Sequence, residues 1–242
     1  MKVIGIIPAR YASTRFPAKP LVDIAGKTMI QRVYEQAKKC ELDHVVVATD
    51  DDRIANVVSG FGGEVMMTDT SHQSGTDRCA EVALALPGYE IIINIQGDEP
   101  FIDPVQISLV KSCFADQHIQ LATLIKEIHT EEELFNPNIP KVVINSAQQA
   151  IYFSRHPIPY IRNAQKQEDW VDAHQFYKHI GIYGYTRETL LAITKLSPSS
   201  LEMAESLEQL RWLENGYQIH TKVTGLETIA IDTPEDLKKI NL

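Results

Sequence analysis

HVVVATDDDRIANVVSGF, residues His44–Phe61, contains a change of period that decides the fold. Val45, Val46, Val47 and Ala48 run on without polar alternation, which is the pattern of a strand covered on both faces. From Asp52 onward the apolar positions fall at helical spacing. One strand of this kind followed at once by one amphipathic helix is the repeating unit of a parallel sheet. The same alternation extends in both directions. VIGIIP (Val3–Pro8) is an apolar, β-branched run, and TMIQRVYEQAKKC (Thr28–Cys40) puts Met29, Ile30, Val33 and Ala37 on one side of a helix. GEVMMT, YEIIINI (Tyr89–Ile95) and QLATLIKEI read as strands; TDRCAEVALAL and DPVQISLVKSCF read as the helices between them, the latter with Pro104 in its first turn. The expected architecture is α/β, doubly wound, with a mostly parallel sheet.

After residue 136 the pattern changes. KVVINSAQQAIYFSR (Lys141–Arg155) reads as two strands joined by a short polar loop, an antiparallel hairpin. The prolines of HPIPYIRN exclude a helix there. FYKHIGIYGY (Phe176–Tyr185) is a strand, SLEMAESLEQLRWLENG (Ser200–Gly216) reads as one helix with Gly216 past its end, and the chain closes on YQIHTKV, TIAID and a small helix PEDLKKI. This is the pattern of a single domain, 1–242, with an insertion at about 136–163. The hairpin and HPIPYI carry more apolar surface than an edge element exposes, and edge strands are usually covered.

Composition narrows the class. The chain has 242 residues, 44% of them apolar, and a formal net charge of −9, so a general nucleic-acid or acidic-membrane footprint is not expected. Cys40, Cys79 and Cys113 lack the spacing of a zinc site or a disulfide framework. The apolar run before Arg10 is too short for a signal-peptide core or a membrane span, and no later run has spanning length; a cytoplasmic protein without membrane insertion is expected.

Four stretches carry chemistry. PARYASTRFPAKP (Pro8–Pro20) follows the first strand, where open α/β sheets bind ligands. Arg10, Arg15 and Lys19 sit on this short loop of an acidic protein and repel one another unless an anion joins them, so a polyphosphate is the natural guest. The loop has neither G-x-G-x-x-G nor G-K-[ST], which excludes the dinucleotide fingerprint and the P-loop. In HQSGTDRCAEV, Ser74 and Asp77 have capping-box spacing, while Arg78 falls in a first turn whose dipole disfavours a cation, which calls for a nearby anion. In IINIQGDEPFIDP (Ile92–Pro104), Asp98 follows Gly97 at a strand end with no basic neighbour in sequence; a metal ion arriving with a nucleotide would supply the missing charge. Asp232, in ETIAIDTPEDL, is a second carboxylate, although it also has N-cap spacing. In YKHIGIYGY, alternation puts His179, Gly181, Tyr183 and Tyr185 on one face, a polar shelf with room beside a glycine.

Taken in order, IIPARYASTRFPAKPL, HQSGTDR, NIQGDEP, HIGIYGY, SLEQLRWLENG and IDTPEDL resemble the 3-deoxy-manno-octulosonate cytidylyltransferase family along the whole chain. The resemblance implies a nucleotide-diphospho-sugar-transferase-like fold with an antiparallel dimerisation hairpin, and a homodimer. It implies transfer of CMP from CTP to the anomeric hydroxyl of 3-deoxy-D-manno-octulosonate (Kdo), giving CMP-Kdo and pyrophosphate for lipopolysaccharide biosynthesis. Arg10, Arg15, Lys19, Ser74 and Arg78 are then the nucleotide-binding residues, and Asp98 and Asp232 the ligands of Mg²⁺. Gln96, Arg155, His179, Tyr183, Glu208 and Gln209 are the sugar-acid residues, and Asp98, Lys19 and Arg10 the catalytic ones. Two positions depart from the family pattern: Ala18 and Ala230 stand where glycine is usual. An alanine fits if the backbone there has negative φ. The alternatives are a cytidylyltransferase for 8-amino-Kdo or sialic acid, or a nucleotide-binding module without turnover; retention of Asp98, Asp232 and Lys19 together favours an enzyme.

Overall fold

The structure is a computed structural model that describes residues 1–12, 16–164, 166–227, 231 and 234–237. The chain divides into two compact units, residues 1–112, 182–194 and 228–242 in the first, and residues 113–181 and 195–227 in the second.

In the first stretch of chain the elements are β1 (Val3–Ala9), a small hairpin of β2 (Asp23–Ile24) and β3 (Lys27–Thr28), α1 (Met29–Ala37), β4 (His44–Thr49), α2 (Asp52–Gly60), β5 (Val65–Met67), α3 (Gly75–Ala85), β6 (Ile91–Asn94) and α4 (Pro104–Cys113). Parallel pairing runs β6–β1–β4–β5, with Ile6 opposite both Val46 and Asn94. Val3, Ile4, Ile6 and Ile7 are all essentially inaccessible, so both faces of β1 are covered, as its unbroken apolar run requires. Local chemistry fixes the helix starts: Thr28 Oγ1 accepts from Gln31 N–H at the head of α1, and the expected capping box forms reciprocally between Ser74 and Asp77 at the head of α3.

The chain continues with β7 (Leu121–Glu127), α5 (Glu131–Phe135), β8 (Lys141–Ile144), β9 (Ala150–Ser154), α6 (Trp170–Ala173), β10 (Tyr177–Thr186), α7 (Arg187–Ile193), α8 (Ser200–Glu205), α9 (Gln209–Glu214), β11 (His220–Val223) and α10 (Pro234–Leu237). The antiparallel hairpin is β8–β9, in register Lys141↔Ser154, within the second unit. There β11 also lies parallel to β7, and Ile128, Leu134, Trp170 and Phe176 form a core cluster. The last residues of β10 return to the first unit, antiparallel to β6, with Tyr183 opposite Asn94. The expectation of one helix over 200–216 is corrected: Ser206 adopts φ 52° and divides it into α8 and α9. Gly216, at φ 83°, follows α9 as expected. The strand read in TIAID lies largely outside the described residues. All three cysteines are free, and no helix among the described residues is long and apolar enough to cross a membrane.

Candidate active site

The carboxyl ends of β1 and β6 meet at one place. A Cβ on Gly97 would lie 2.7 Å from the Pro8 carbonyl oxygen, so only glycine permits this backbone approach. The neighbour that Gly97 admits is the protein's own main chain. Around this contact lies a cleft of about 250 Å³ whose wall includes Arg10, Lys19, Ser74, Arg78, Gln96 and Asp98. Six residues singled out from three separate stretches of sequence therefore share one cavity. Arg15 and Asp232 lie outside the described residues.

The question raised by Asp98 has an answer within the chain. Lys19 Nζ lies 2.8 Å from Asp98 Oδ2, across 79 residues of sequence. Lys19 is brought there by a short 3₁₀ turn, Lys19–Leu21, and by closure of the loop through Ala18 N–H donating to the Tyr11 carbonyl, 3.1 Å. Arg78 is likewise paired. Its guanidinium is buried, donates to Asp50 Oδ2 at 2.9 Å and contacts the Thr68 hydroxyl. Asp50 is the anion that the first turn of α3 called for, and it supplies the charge balance without a ligand. Sequence reading missed it, although its place at the carboxyl end of a parallel strand was a usable signal. His72 was also missed: it lines the cleft, and its Nε2 lies 2.5 Å from Glu81 Oε2, which also accepts from Asp69 N–H at 2.9 Å.

Ala18 has φ 58°. The condition under which alanine would fit, negative φ, is not met; the residue sits in the left-handed region. A Cβ there costs roughly 1–2 kcal/mol, against roughly 0.5–1 kcal/mol for the greater unfolded-state freedom of glycine. Ala18→Gly is therefore expected to stabilise the protein by about 0.5–1 kcal/mol, raising the melting temperature by roughly 1–3 °C in calorimetry. A lowered melting temperature would contradict this strain. Ala230 lies outside the described residues.

The sugar-acid candidates divide between the units. Gln96 and Tyr183 belong to the first; Arg155, His179, Glu208 and Gln209 belong to the second. Arg155 spends three of its five N–H donors on main-chain carbonyls, those of Glu205 (2.6 Å), Pro137 (3.0 Å) and Ser206 (3.2 Å). It thereby fixes the bend that leads into Glu208 and Gln209. Glu208 lies 3.9 Å from Arg211, the i,i+3 pair its spacing allows, and Gln209 is buried. Tyr183 stacks beside Tyr185, ring centres 5.9 Å apart, as their shared strand face requires.

His179 Nε2 lies 2.9 Å from the Thr123 hydroxyl oxygen, and the ring meets Phe153 edge-on. The Thr123 hydroxyl donates to the Ile180 carbonyl, so its oxygen accepts from Nε2–H. Burial pushes the imidazole down to about 3, so it is neutral at physiological pH. Because the folded-state value lies below the unfolded one near 6.5, the unfolded chain binds the extra proton first. Stability is then complete above about pH 6.5 and is lost as pH falls toward 3. At pH 4 the expected loss from this group is on the order of 2–3 kcal/mol. Urea titrations at pH 7 and pH 4 check it: His179→Gln should lose less stability on acidification than the wild type.

Metal-ion chemistry can be weighed from the donors. Among the described residues no group of three or more His, Cys, Asp or Glu could enclose an ion. Mg²⁺ does not need such a cage; it takes one or two carboxylates and fills its shell with water and phosphate oxygens. Asp98 suits that role, with its carboxylate at the cleft and about one-third exposed. Its main-chain carbonyl accepts from Ile231 N–H at 3.1 Å, and Ile231 is the residue before Asp232.

Parallel strands with a cationic cleft at their carboxyl ends and one carboxylate in its wall define a nucleotide-handling α/β protein, and the chain belongs to the cytidylyltransferase family, whose pattern matches residues 4–228. Among its relatives, a protein of Parabacteroides distasonis named 3-deoxy-manno-octulosonate cytidylyltransferase is 60% identical over 99% of this chain and 96% of its own length. One of the same name from Bacteroides thetaiotaomicron is 58% identical over 98% and 96%. A solved CMP:2-keto-3-deoxy-manno-octonic acid synthetase complexed with CTP superposes with a TM-score of 0.91 at 45% identity, covering 99% of this chain and 96% of that one.

Proposed function

We propose that this chain transfers CMP from CTP to the anomeric hydroxyl of Kdo, releasing pyrophosphate. The observation that carries the reading is the single cleft in which Arg10, Lys19, Ser74 and Arg78 face Asp98 at the carboxyl ends of β1 and β6. The relatives' names supply the sugar acid, and the CTP complex of the similar solved structure supports the nucleotide.

In this reading Arg10, Arg15 and Lys19 hold the triphosphate, and Arg10 and Lys19 offset the charge that builds on departing pyrophosphate. Ser74 and Arg78, fixed by the head of α3 and by Asp50, bound the nucleotide side of the cleft. Gln96, Tyr183, Glu208 and Gln209 meet the sugar hydroxyls, and Arg155 its carboxylate. A neutral His179 contributes a hydrogen bond, not a charge. Mg²⁺, held by Asp98 and Asp232, would neutralise phosphate charge and make the sugar hydroxyl easier to deprotonate. The chain's own work is alignment of hydroxyl and α-phosphorus and exclusion of competing poses.

Pyrophosphate release from each of the four nucleoside triphosphates, with Mg²⁺ and a panel of Kdo, 8-amino-Kdo and sialic acid, tests the reading. CTP with Kdo should be the fastest pair; turnover with no sugar acid of the panel would overturn it. The setting we propose is cytoplasmic supply of activated Kdo for lipopolysaccharide. The assembly is a two-fold homodimer that covers the hairpin region, where Ile151 is 58% and Tyr160 74% exposed. Light scattering should give twice the chain mass at micromolar concentration; a monomer mass would contradict the dimer.

A further inference from the structure

Three segments that wall or flank the cleft each send one apolar side chain into the same small cluster. Phe16 is three residues before Lys19, and its carbonyl accepts from Lys19 N–H at 3.3 Å. Phe101 is three residues after Asp98, and Ile231 is one residue before Asp232. Ile231 is fully buried in a cluster with Ile24 and Met29, against which Phe16, Phe101 and Leu237 pack. Arg32 covers this group: its guanidinium lies 6.0 Å from the centre of the Phe101 ring and holds the Ile24 carbonyl. The Ile231–Asp98 main-chain hydrogen bond joins two of the three segments directly. Neither Phe101 nor Ile231 lines the cleft.

We infer that Phe101 is a positioning residue, one arm of an apolar clasp in which Phe16 and Phe101 pack against the cluster that holds Ile231, and that this clasp couples the triphosphate loop to the two metal-binding segments. The inference rests on the reading that the first loop takes the triphosphate and that Asp98 and Asp232 take the metal. Phe16 and Phe101 pack against the same small cluster, of which Ile231 is a buried member, so the three segments share one apolar contact region. Ordering one segment raises the return from ordering the others, which is how groups in contact couple while distant groups simply add. A nucleotide that grips residues 10–19 would then prepare the carboxylates for the ion before the ion arrives.

Hydrogen exchange with CTP in excess EDTA separates this coupling from bridging by the metal itself. In the wild type CTP should slow exchange in residues 10–20 and also in 228–237. Phe101→Ala should keep the first effect and lose the second, and Phe101→Leu, which refills the cluster, should restore it. In turnover assays Phe101→Ala should raise the Mg²⁺ concentration for half-maximal rate roughly tenfold, with kcat at saturating Mg²⁺ within a factor of about three of wild type. If Phe101→Ala melts below the assay temperature, Phe101→Val takes its place. Persistence of slowed exchange at 228–237 in the alanine or valine variant, or its absence in the wild type, overturns the clasp. Failure of the metal reading is distinguishable, because the wild type would then turn over without Mg²⁺ while the exchange result, obtained in EDTA, stands on its own.

Discussion

Asp98→Asn should reduce kcat by about 10²–10³, equivalent to roughly 3–4 kcal/mol of transition-state stabilisation. The substitution removes the charge and keeps the shape. The amide still offers a carbonyl oxygen where Oδ2 now accepts from Lys19 Nζ at 2.8 Å, so the loop that carries Lys19 keeps its anchor. The carboxylate is about one-third exposed, so loss of its ion pair costs far less than the several kcal/mol of a fully buried one. The melting temperature should therefore change little. The KM for CTP should not rise, because the cleft becomes more positive when a carboxylate leaves it. This pattern, a fall in kcat without a rise in KM, is that of a group acting only in the transition state. A general loss of structure would raise KM as well. Steady-state rates with saturating Mg²⁺ decide the matter: turnover at the wild-type rate would remove Asp98 from the metal site.

Much of the fold was open to reading because local and global signals agree in it. The β-branched runs at Val3 and Val45 are unpolar on every position, and such strands have few options other than the middle of a parallel sheet. Ser74 and Asp77 named their own capping box three residues apart. What escaped was set by contacts between distant residues. Arg78 finds its counter-charge in Asp50, 28 residues back, and Asp98 finds Lys19, 79 residues back; no local pattern records either pairing. The break between α8 and α9 is a tertiary override. SLEMAESLEQLRWLEN has helical spacing throughout, yet Arg155 takes the carbonyls of Glu205 and Ser206, and the Glu205 carboxylate takes Ser154 Oγ and Arg155 N–H. The β2–β3 hairpin was missed for a different reason. Its turn uses Ala25 and Gly26, both at positive φ, where Asn-Gly or Asp-Gly would have been the recognisable signal. Asp23 accepting from Gly26 N–H supplies the support that the sequence order concealed.

Lys19→Ala and His179→Ala should fail in different ways. Lys19 follows β1, where phosphates bind in open sheets, and its ammonium is largely buried at the cleft beside Asp98. Charge grows on pyrophosphate as it leaves, so a cation at that place contributes more in the transition state than in the ground state. Lys19→Ala should lower kcat by about 10²-fold and raise the KM for CTP, with the KM for Kdo little changed. His179 is a half-buried, neutral imidazole on β10, held to Thr123 and edged by Phe153, and it carries no charge to place on a developing anion. Its contact with the sugar would be made equally before and during the reaction. His179→Ala should therefore raise the KM for Kdo by roughly tenfold and leave kcat within a factor of about three. Because its folded-state value lies near 3, the KM for Kdo should gain no titration near pH 6.5 from this residue between pH 6 and 8. Initial rates on both variants, with each substrate varied at saturation of the other and the Kdo series repeated across that pH range, separate the two halves of the site. If His179→Ala impaired CTP binding and spared the sugar, the division would fail even with the overall reaction intact.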